Sequence, residues 1–308
     1  MEVNFYQNGK GLEKRQWAFN PLLFQSMAFV GNQFPDGGYV SFTLESGGEV
    51  HAIIHFSVDE SGWVSLPKSP FGGVSASEEV NEPDVRLLAN AVLRKAEGRP
   101  LTVFLPYTGY LSTTGSWFSN SLREAGFTVA FQDTQQYIEV SVERSLSESM
   151  HDSQLRRLAK CEKAGFLFAE EPFEHLAEIY SFIEACRTEQ SIPLNISLEV
   201  LRKSWVNMKG SYNLFVVRDQ EEVIAACITV TVSREVLYYF LPAASAAYNQ
   251  FSPMVMLIFN LYKWAQKSNY RLIDLGRASI EGEVQEGLRE FKDRMGGIKG
   301  YSVCLRKR

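Results

Sequence analysis

The 308-residue sequence has few of the residues that build metal sites or disulfide frameworks: it contains four cysteines and four histidines. The sequence has no CxxC, no HExxH and no His/Cys cluster, so a zinc or other metal site is not expected. The cysteines lie far apart, at Cys161, Cys186, Cys227 and Cys304. Such spacing is typical of free buried thiols in a reducing cytosol, so we expect a cytoplasmic protein.

Long apolar runs and an excess of positive charge are also missing. No run approaches the roughly 20 residues that span a bilayer, and no apolar segment follows the N-terminal charges as it would in a signal peptide. The 31 Lys and Arg residues against 36 Asp and Glu give a net charge of −5. An acidic protein has no general attraction for nucleic acid, so the sequence predicts no DNA binding. The lack of a long apolar run predicts no membrane span.

Three common catalytic motifs are absent as well. No GxSxG, GxxxxGK[ST] or strand-linked GxGxxG occurs in the sequence. Because serine hydrolases, P-loop enzymes and Rossmann dehydrogenases need those turns to place a nucleophile or a phosphate, none of these three classes is favoured.

What the sequence does contain is the composition of a folded α/β protein. Hydrophobic residues make up 45% and aromatic residues 13%, which is enough for a sizeable core. Short apolar strands alternate with amphipathic helices in both halves, and the length matches two domains. A Ser- and Glu-rich segment, VERSLSES, replaces apolar alternation near residue 145. We therefore predict a mixed α/β protein with domains at 1–145 and 146–308.

The second half contains three successive strands, predicted at 212–218, 222–232 and 235–241, whose short connections favour antiparallel pairing. A helix predicted at 252–267 follows and is apolar nearly all round, so it should be buried. Ser252 is its expected N-cap and Pro253 its first residue. The free N–H groups of such a helix start suit a phosphate, although the same pattern also describes an ordinary cap on a core helix.

Two further segments carry polar groups. Asp274 and Arg277 end a predicted strand at 271–275, where α/β proteins often bind ligands, although solvated strand ends look the same. In the helix at about 284–295, Phe291 lies on the apolar face and Lys292 beside it. By itself this pattern predicts a solvated lysine. A basic stripe at 156–163 is similarly interpreted as a solvated helix face.

Four segments of the second half, in this order, resemble the Fem-type (FemAB-like) branch of the GNAT acyltransferase superfamily, including its CelD-like acetyltransferase relatives. The segments are SQLRRLAKCEKAGFLFAEE (153–171), YNLFVVRDQEEVIAACITV (212–230), LYYFLPAASAAYNQFSPMVMLIFNLYKWAQKSNYRLIDLG (237–276) and GLREFKDRMGG (287–297). The resemblance implies two tandem GNAT-like domains, each a curved mixed sheet flanked by helices, with a ligand cleft at their junction or in the second domain.

The resemblance also implies a reaction, the transfer of an acyl group from CoA, or of an aminoacyl group from tRNA, onto an amine. In GNAT proteins a central strand separates from its neighbour and exposes backbone N–H and C=O groups to the acyl arm. Here that strand would be 235–241, with Pro242 withholding an N–H where pairing ends. The loop that follows and the helix start at Ser252 would receive the pyrophosphate.

Individual roles come from the same resemblance. Phe291 and Lys292 fall on the Phe–Lys pair of the Fem-type pattern, whose lysine acts near the transferred group or an acceptor phosphate. Asp274 and Gly276 fall on its strand-end Asp-x-Gly, which Arg277 follows as a further ligand-binding candidate.

The remaining candidates lie on the strand itself. Tyr238 and Tyr239 are candidates for a hydroxyl near the leaving thiolate, and strand alternation should send only one of them inward. The candidate bases are Asp274, which is preferred, and Glu235.

Three functions stay open. The loop AASAAYNQFSP has no glycine, unlike the usual GNAT pyrophosphate loop, yet the acidic balance disfavours tRNA. We therefore place an acyl-CoA-dependent N-acyltransferase, acting on a small-molecule or cell-envelope precursor amine, above aminoacyl-tRNA-dependent transfer. A catalytically silent GNAT-fold module that binds a nucleotide-sugar or glycan precursor is the third. The transferase prediction fails if Tyr248 and Phe251 fill the cleft and Lys292 points into solvent.

Overall fold

The computed structural model describes residues 1–67, 69–107, 109 and 112–307. The chain divides into two compact units. The first consists of Met1–Gln135 with residues 279–284 and 300–307, and the second of Gln136–Ala278 with Gln285–Lys299. The segment on which the predicted boundary near 145 rested lies inside the second unit, where it includes the short 3-10 helix Leu146–Glu148. The Ser- and Glu-rich composition thus marks a connection between elements, and the chain crosses between units more than once.

The elements of the chain up to residue 139 are β1 (Glu2–Gln7), β2 (Gln16–Trp17), α1 (Met27–Gln33), β3 (Tyr39–Ser46), β4 (Glu49–Asp59), β5 (Gly62–Val64), β6 (Ser75–Ala76), α2 (Glu82–Ala96), β7 (Leu101–Phe104), α3 (Thr113–Glu124) and β8 (Thr128–Glu139). Those that follow are α4 (Asp152–Lys163), β9 (Leu167–Glu171), α5 (Leu176–Glu189), α6 (Leu198–Asn207), β10 (Tyr212–Asp219), β11 (Glu222–Thr231), β12 (Val236–Ala244), α7 (Pro253–Lys267), β13 (Leu272–Arg277), β14 (Ser279–Ile280), β15 (Glu283–Val284), α8 (Glu286–Arg294) and β16 (Ile298–Lys307).

The sheet of the first unit has the strand order β1-β3-β4-β5-β7-β16, with β2 and β6 also pairing with β4. The β3 and β4 strands form a hairpin, because they pair antiparallel across the turn at Gly47 and Gly48, where both glycines have positive φ. The α2 helix begins with a capped first turn. The Asn81 side chain accepts a hydrogen bond from the Asp84 N–H, and a proline stands in the first turn.

In the second unit the strand order is β8-β13-β12-β11-β10-β9. The β9 to β12 strands pair antiparallel in succession, and β12 pairs with β13 in parallel. The α7 helix packs into the main core of this unit, with Val255, Leu257 and Leu261 fully buried. The prediction of a mixed α/β fold is confirmed.

Two expectations from composition can be compared with the structure. All four cysteines are free and buried, as their spacing predicts. Within the described part of the chain, no helix has the length and apolar character needed to cross a membrane.

Candidate functional site

A cavity of about 470 Å³ opens in the second unit where β12 and β13 stop pairing. The two parallel strands pair over three residues, ending at Tyr238 opposite Asp274, although β12 continues to Ala244 and β13 to Arg277. The unpaired ends of both strands line the cavity, together with the end of α5, the start of α7 and one face of α8. This is the separated central strand that the family resemblance implies.

The structure gives Pro242 a different position from the one predicted. Pairing of β12 with β13 has already ended at Tyr238, whereas pairing with β11 continues past Cys227 opposite Pro242 as far as Ala244. Pro242 lines the cavity from within the strand and does not end it. The sequence signal was misleading because a proline lacks an N–H donor but still fits a strand position whose N–H side faces away from the ladder.

Lys292 lies on the cavity wall and is buried, with 4% of its surface exposed. Its Nζ donates hydrogen bonds to the carbonyl oxygens of Gly276 and Arg277, both at 2.8 Å. Burial lowers the pKa of Lys292 to about 8, although the neighbouring Asp274 carboxylate acts in the opposite direction and Arg277 adds to the lowering. The interpretation of this residue as a solvated lysine is therefore wrong.

Asp274 lies beneath the wall of the cavity and does not line it. Its side chain is fully buried, and its Oδ1 accepts a hydrogen bond from the N–H of Gly276 at 2.8 Å. Gly276 has a φ of +75°, and a Cβ added there would lie 3.3 Å from Cε2 of Tyr238. The predicted Asp-x-Gly thus forms a tight turn that directs two carbonyl groups toward Lys292. Asp274 compensates the charge of Lys292 from within the protein, a position that suits a positioning residue better than a base.

Both Tyr238 and Tyr239 line the cavity. They pair in register with Val230 and Thr229, so strand alternation holds between them. The Tyr238 ring contacts Phe240, whereas Tyr239 packs in the hydrophobic core. A β-bulge follows at Phe240, which is an extra residue between two regular pairs of β12 and β11. The Tyr239 hydroxyl is buried and has no hydrogen-bond partner among the described residues. Burial raises the pKa of both phenols, so both are neutral.

Ser252 precedes α7 and lines the cavity, as predicted, but it does not cap the helix. Its φ is +58°, outside the extended conformation that an N-cap residue usually adopts. The Ser252 hydroxyl donates to the carbonyl oxygen of Asn249 at 3.3 Å. The first turn of α7 therefore faces the cavity without a side-chain cap.

The remaining predicted residues divide into two groups. Arg277 and Phe291 line the cavity. Glu235 does not, because it precedes β12 at the opposite end from the cavity, with its side chain 59% exposed and paired with Arg271 at 3.3 Å. The prediction of Glu235 as a base is therefore not supported, because its carboxylate does not line the cavity.

The two aromatic residues that could have filled this space lie elsewhere. Tyr248 donates hydrogen bonds to Asp219 and Glu222, and Phe251 packs edge-on against Phe166. Neither lines the cavity. The condition under which the transferase prediction fails is therefore not met.

A cationic residue of the cavity wall was not predicted from the sequence. Arg187, near the end of α5, lines the cavity, and its Nε is buried without a hydrogen-bond partner among the described residues. The position looks like an ordinary basic residue in the last turn of a helix, so the sequence gives no signal for it. With Arg187, Arg277 and Lys292, the described lining has three cationic side chains and no carboxylate.

Comparison with known proteins agrees with these observations. Residues 150–293 match the family model described as "Acetyltransferase (GNAT) domain". This segment is similar to the GNAT acetyltransferase family, and it contains the described lining of the cavity, including Lys292. No curated protein matches the chain by sequence.

Solved structures show where the same fold occurs. FemX is similar over 98% of this chain and 97% of its own, with a TM-score of 0.67 and 12% identity. L-PGS from Bacillus licheniformis is similar over 96% of this chain and 88% of its own (TM-score 0.61, 14% identity), and a conserved protein of unknown function from Bacteroides thetaiotaomicron over 99% and 100% (TM-score 0.62, 8% identity). At such low identity these likenesses show the fold. Together with the family match, they confirm the GNAT resemblance of the sequence.

Proposed function

We propose that the protein is an N-acyltransferase that moves an acyl group from acyl-CoA to an amine of a small molecule or cell-envelope precursor. The observation that carries the proposal is the buried Lys292 ammonium group at the open edge of β12. An ammonium group has three N–H donors, and two of them bind the carbonyl oxygens of Gly276 and Arg277. The third remains for a ligand.

The chemistry requires little more than this. In the transfer step the amine nitrogen attacks the thioester carbonyl, the new C–N bond forms, the C–S bond breaks, and the leaving thiolate takes up the proton that the amine loses. Lys292 supplies positive charge to the oxygen that becomes negative in the transition state. Tyr239 lines the cavity, and its buried hydroxyl, which has no hydrogen-bond partner among the described residues, relays this proton: it gives its own proton to the thiolate and takes up the one that the amine loses. The unpaired edge of β12 beyond Tyr238 offers backbone groups for the amides of the CoA arm.

The donor can be tested by ligand stabilisation. Acetyl-CoA and longer acyl-CoAs are expected to raise the melting temperature of the protein, because a ligand that binds the native state stabilises it by mass action. UDP-sugars are expected to have no effect. Stabilisation by UDP-sugars alone would contradict the proposal and support a silent binding module. Without any shift, charged tRNA becomes the donor to test, and transfer from it would contradict acyl-CoA as the donor.

Activity tests the role of Lys292. With an acyl-CoA that binds, a panel of primary amines is assayed by thiol release, and Lys292→Met is compared with Lys203→Met on α6, an exposed lysine that does not line the cavity. Loss of transfer in the first variant alone supports the site. Equal activity of Lys292→Met and the native protein would remove Lys292 from the mechanism.

A further inference from the structure

The charge on the cavity wall differs from that of the protein as a whole. The chain has a net charge of −5, yet the described lining contains Arg187, Arg277 and Lys292 and no acidic side chain. Asp274, the nearby carboxylate that acts on Lys292, is fully buried and already accepts the N–H of Gly276. A cationic ligand in the cavity therefore meets three cationic side chains and finds no carboxylate in the described lining.

Arg187 makes this charge persistent. Burial lowers its pKa from the ordinary value, but a guanidinium stays protonated in proteins. Within the described residues its Nε has no partner, and its Nη1 reaches the carbonyl oxygen of Pro193 at 3.5 Å, the limit of a hydrogen bond. Arg187 thus retains unused donors, and it acts electrostatically on Tyr238, as Arg277 does.

The other lining residues are mainly apolar. Ile192, Met254, Ile258 and Leu288 are among them, and Ile192 and Leu288 are 45% and 40% exposed. An apolar acyl chain gains by leaving water for such a surface. An acyl group that carries an ammonium loses its hydration there and finds no anion in return, which is costly. Phosphates of the donor can pair with the arginines, but they add no anion beside the acyl chain.

From these observations we infer that the cavity selects a neutral, apolar acyl group and rejects one that carries a positive charge, and that Arg187 is a residue that determines this specificity. The inference rests on the proposed function, because it concerns the acyl group of the CoA donor. It also counts against the aminoacyl-tRNA alternative, since an aminoacyl group carries an α-ammonium.

A pair of isosteric donors tests the inference. Butyryl-CoA and β-alanyl-CoA differ in a terminal methyl against a terminal ammonium, so shape is held constant while charge changes. We expect kcat/KM for butyryl-CoA to exceed that for β-alanyl-CoA by at least about tenfold, the effect of a single repulsive charge contact in a partly desolvated site. In Arg187→Gln the ratio should fall several-fold. Arg202→Gln, which changes an exposed cation on α6 away from the cavity, should keep the native ratio.

The outcomes separate the two proposals. Equal use of both donors, or a ratio that Arg187→Gln leaves unchanged in a folded protein, would overturn the inference while the acyltransferase function stands. If calorimetry shows that neither butyryl-CoA nor β-alanyl-CoA binds, acyl-CoA is not the donor and both proposals fail. A circular dichroism spectrum and melting curve for each variant establish that it is folded.

Discussion

The Nζ of Lys292 donates a 2.8 Å hydrogen bond to the carbonyl oxygen of Gly276, sixteen positions earlier in the chain. This contact joins α8 to the end of β13 and brings the Asp-x-Gly and Phe-Lys segments together in space. The aspartate accepts the glycine N–H, the glycine turn presents its carbonyl group, and the lysine binds it. Hydrogen bonds thus link Asp274, the turn at Gly276 and Lys292 on α8 at the cavity wall.

Replacing Lys292 with methionine should reduce transfer strongly, by roughly 100-fold or more in kcat, because the positive charge beside the reacting oxygen is lost. Methionine keeps most of the volume of the side chain, which matters because this position is buried. Both variants leave the Gly276 and Arg277 carbonyl groups without the Lys292 donor, and Lys292→Ala in addition leaves a cavity. We therefore expect the alanine variant to melt at a lower temperature than the methionine variant, as measured by calorimetry.

The stability of the protein should depend on pH through Lys292. Its pKa is about 8 in the folded protein against 10.5 for the ordinary side chain. Between these values the unfolded chain binds more protons, so the free energy of unfolding rises with pH and the cost of the buried charge, about 3 kcal/mol, is relieved. Below pH 8 that cost is fully present. The Asp274 carboxylate and the Arg277 guanidinium face the same ammonium.

The measurement is denaturant unfolding at pH 7 and pH 10 for the native protein and Lys292→Met. Since all other groups titrate in both proteins, the native protein should gain stability relative to the variant at the higher pH. A difference that does not change with pH would mean that Lys292 has an ordinary pKa. Competitive chemical labelling of the lysine gives the pKa directly.

Gly276→Ala should destabilise the protein more than Gly210→Ala. Both glycines have nearly the same φ, +75° and +77°, so both substitutions carry the same backbone cost of about 1–2 kcal/mol. Gly210 has open space around an added Cβ, whereas at Gly276 that atom lies 3.3 Å from the Tyr238 ring. The difference between the two variants in urea unfolding isolates the contact with Tyr238. Transfer activity should fall in Gly276→Ala alone, because the turn positions Lys292.

Tyr239→Phe should leave stability unchanged or slightly increased, because the hydroxyl it removes is buried without a partner. Tyr262→Phe is the matched control on α7. Its hydroxyl accepts the N–H of Ser141 and donates to the carbonyl oxygen of Arg144, both at 3.1 Å, so its loss should cost about 1 kcal/mol or more. Transfer activity should show the opposite order, with a loss in Tyr239→Phe only. A large loss of stability in Tyr239→Phe would indicate that the hydroxyl supports the fold.

Much of the fold could be predicted because local signals agreed with tertiary packing. The apolar character of the helix predicted at 252–267 indicated a buried helix, and α7 packs into the core as expected. The first 38 residues carried no such signal, and β1 and α1 were missed there. The β1 strand is largely exposed except at Tyr6, so it lacks the apolar alternation of a half-buried strand.

The site was predicted in part for similar reasons. A sequence motif indicates which residues are present. The burial of Lys292 depends on how α8 packs in the fold, and the bulge at Phe240 depends on how β12 pairs with β11. Arg187 comes from α5, a helix that contributes no recognisable motif. Its place on the cavity wall follows from the contacts of α5 with β11 and β12, which the sequence does not encode locally.

The return of the chain to the first unit has a consequence for synthesis on the ribosome. The β16 residues 304–307 pair with β7, yet they are translated after every residue of the second unit. Until they emerge from the exit tunnel, the edge of β7 lacks this partner and stays open to non-native association. During synthesis the sheet of the first unit therefore cannot be completed before β16 is translated. We expect the nascent chain to need a chaperone until that point.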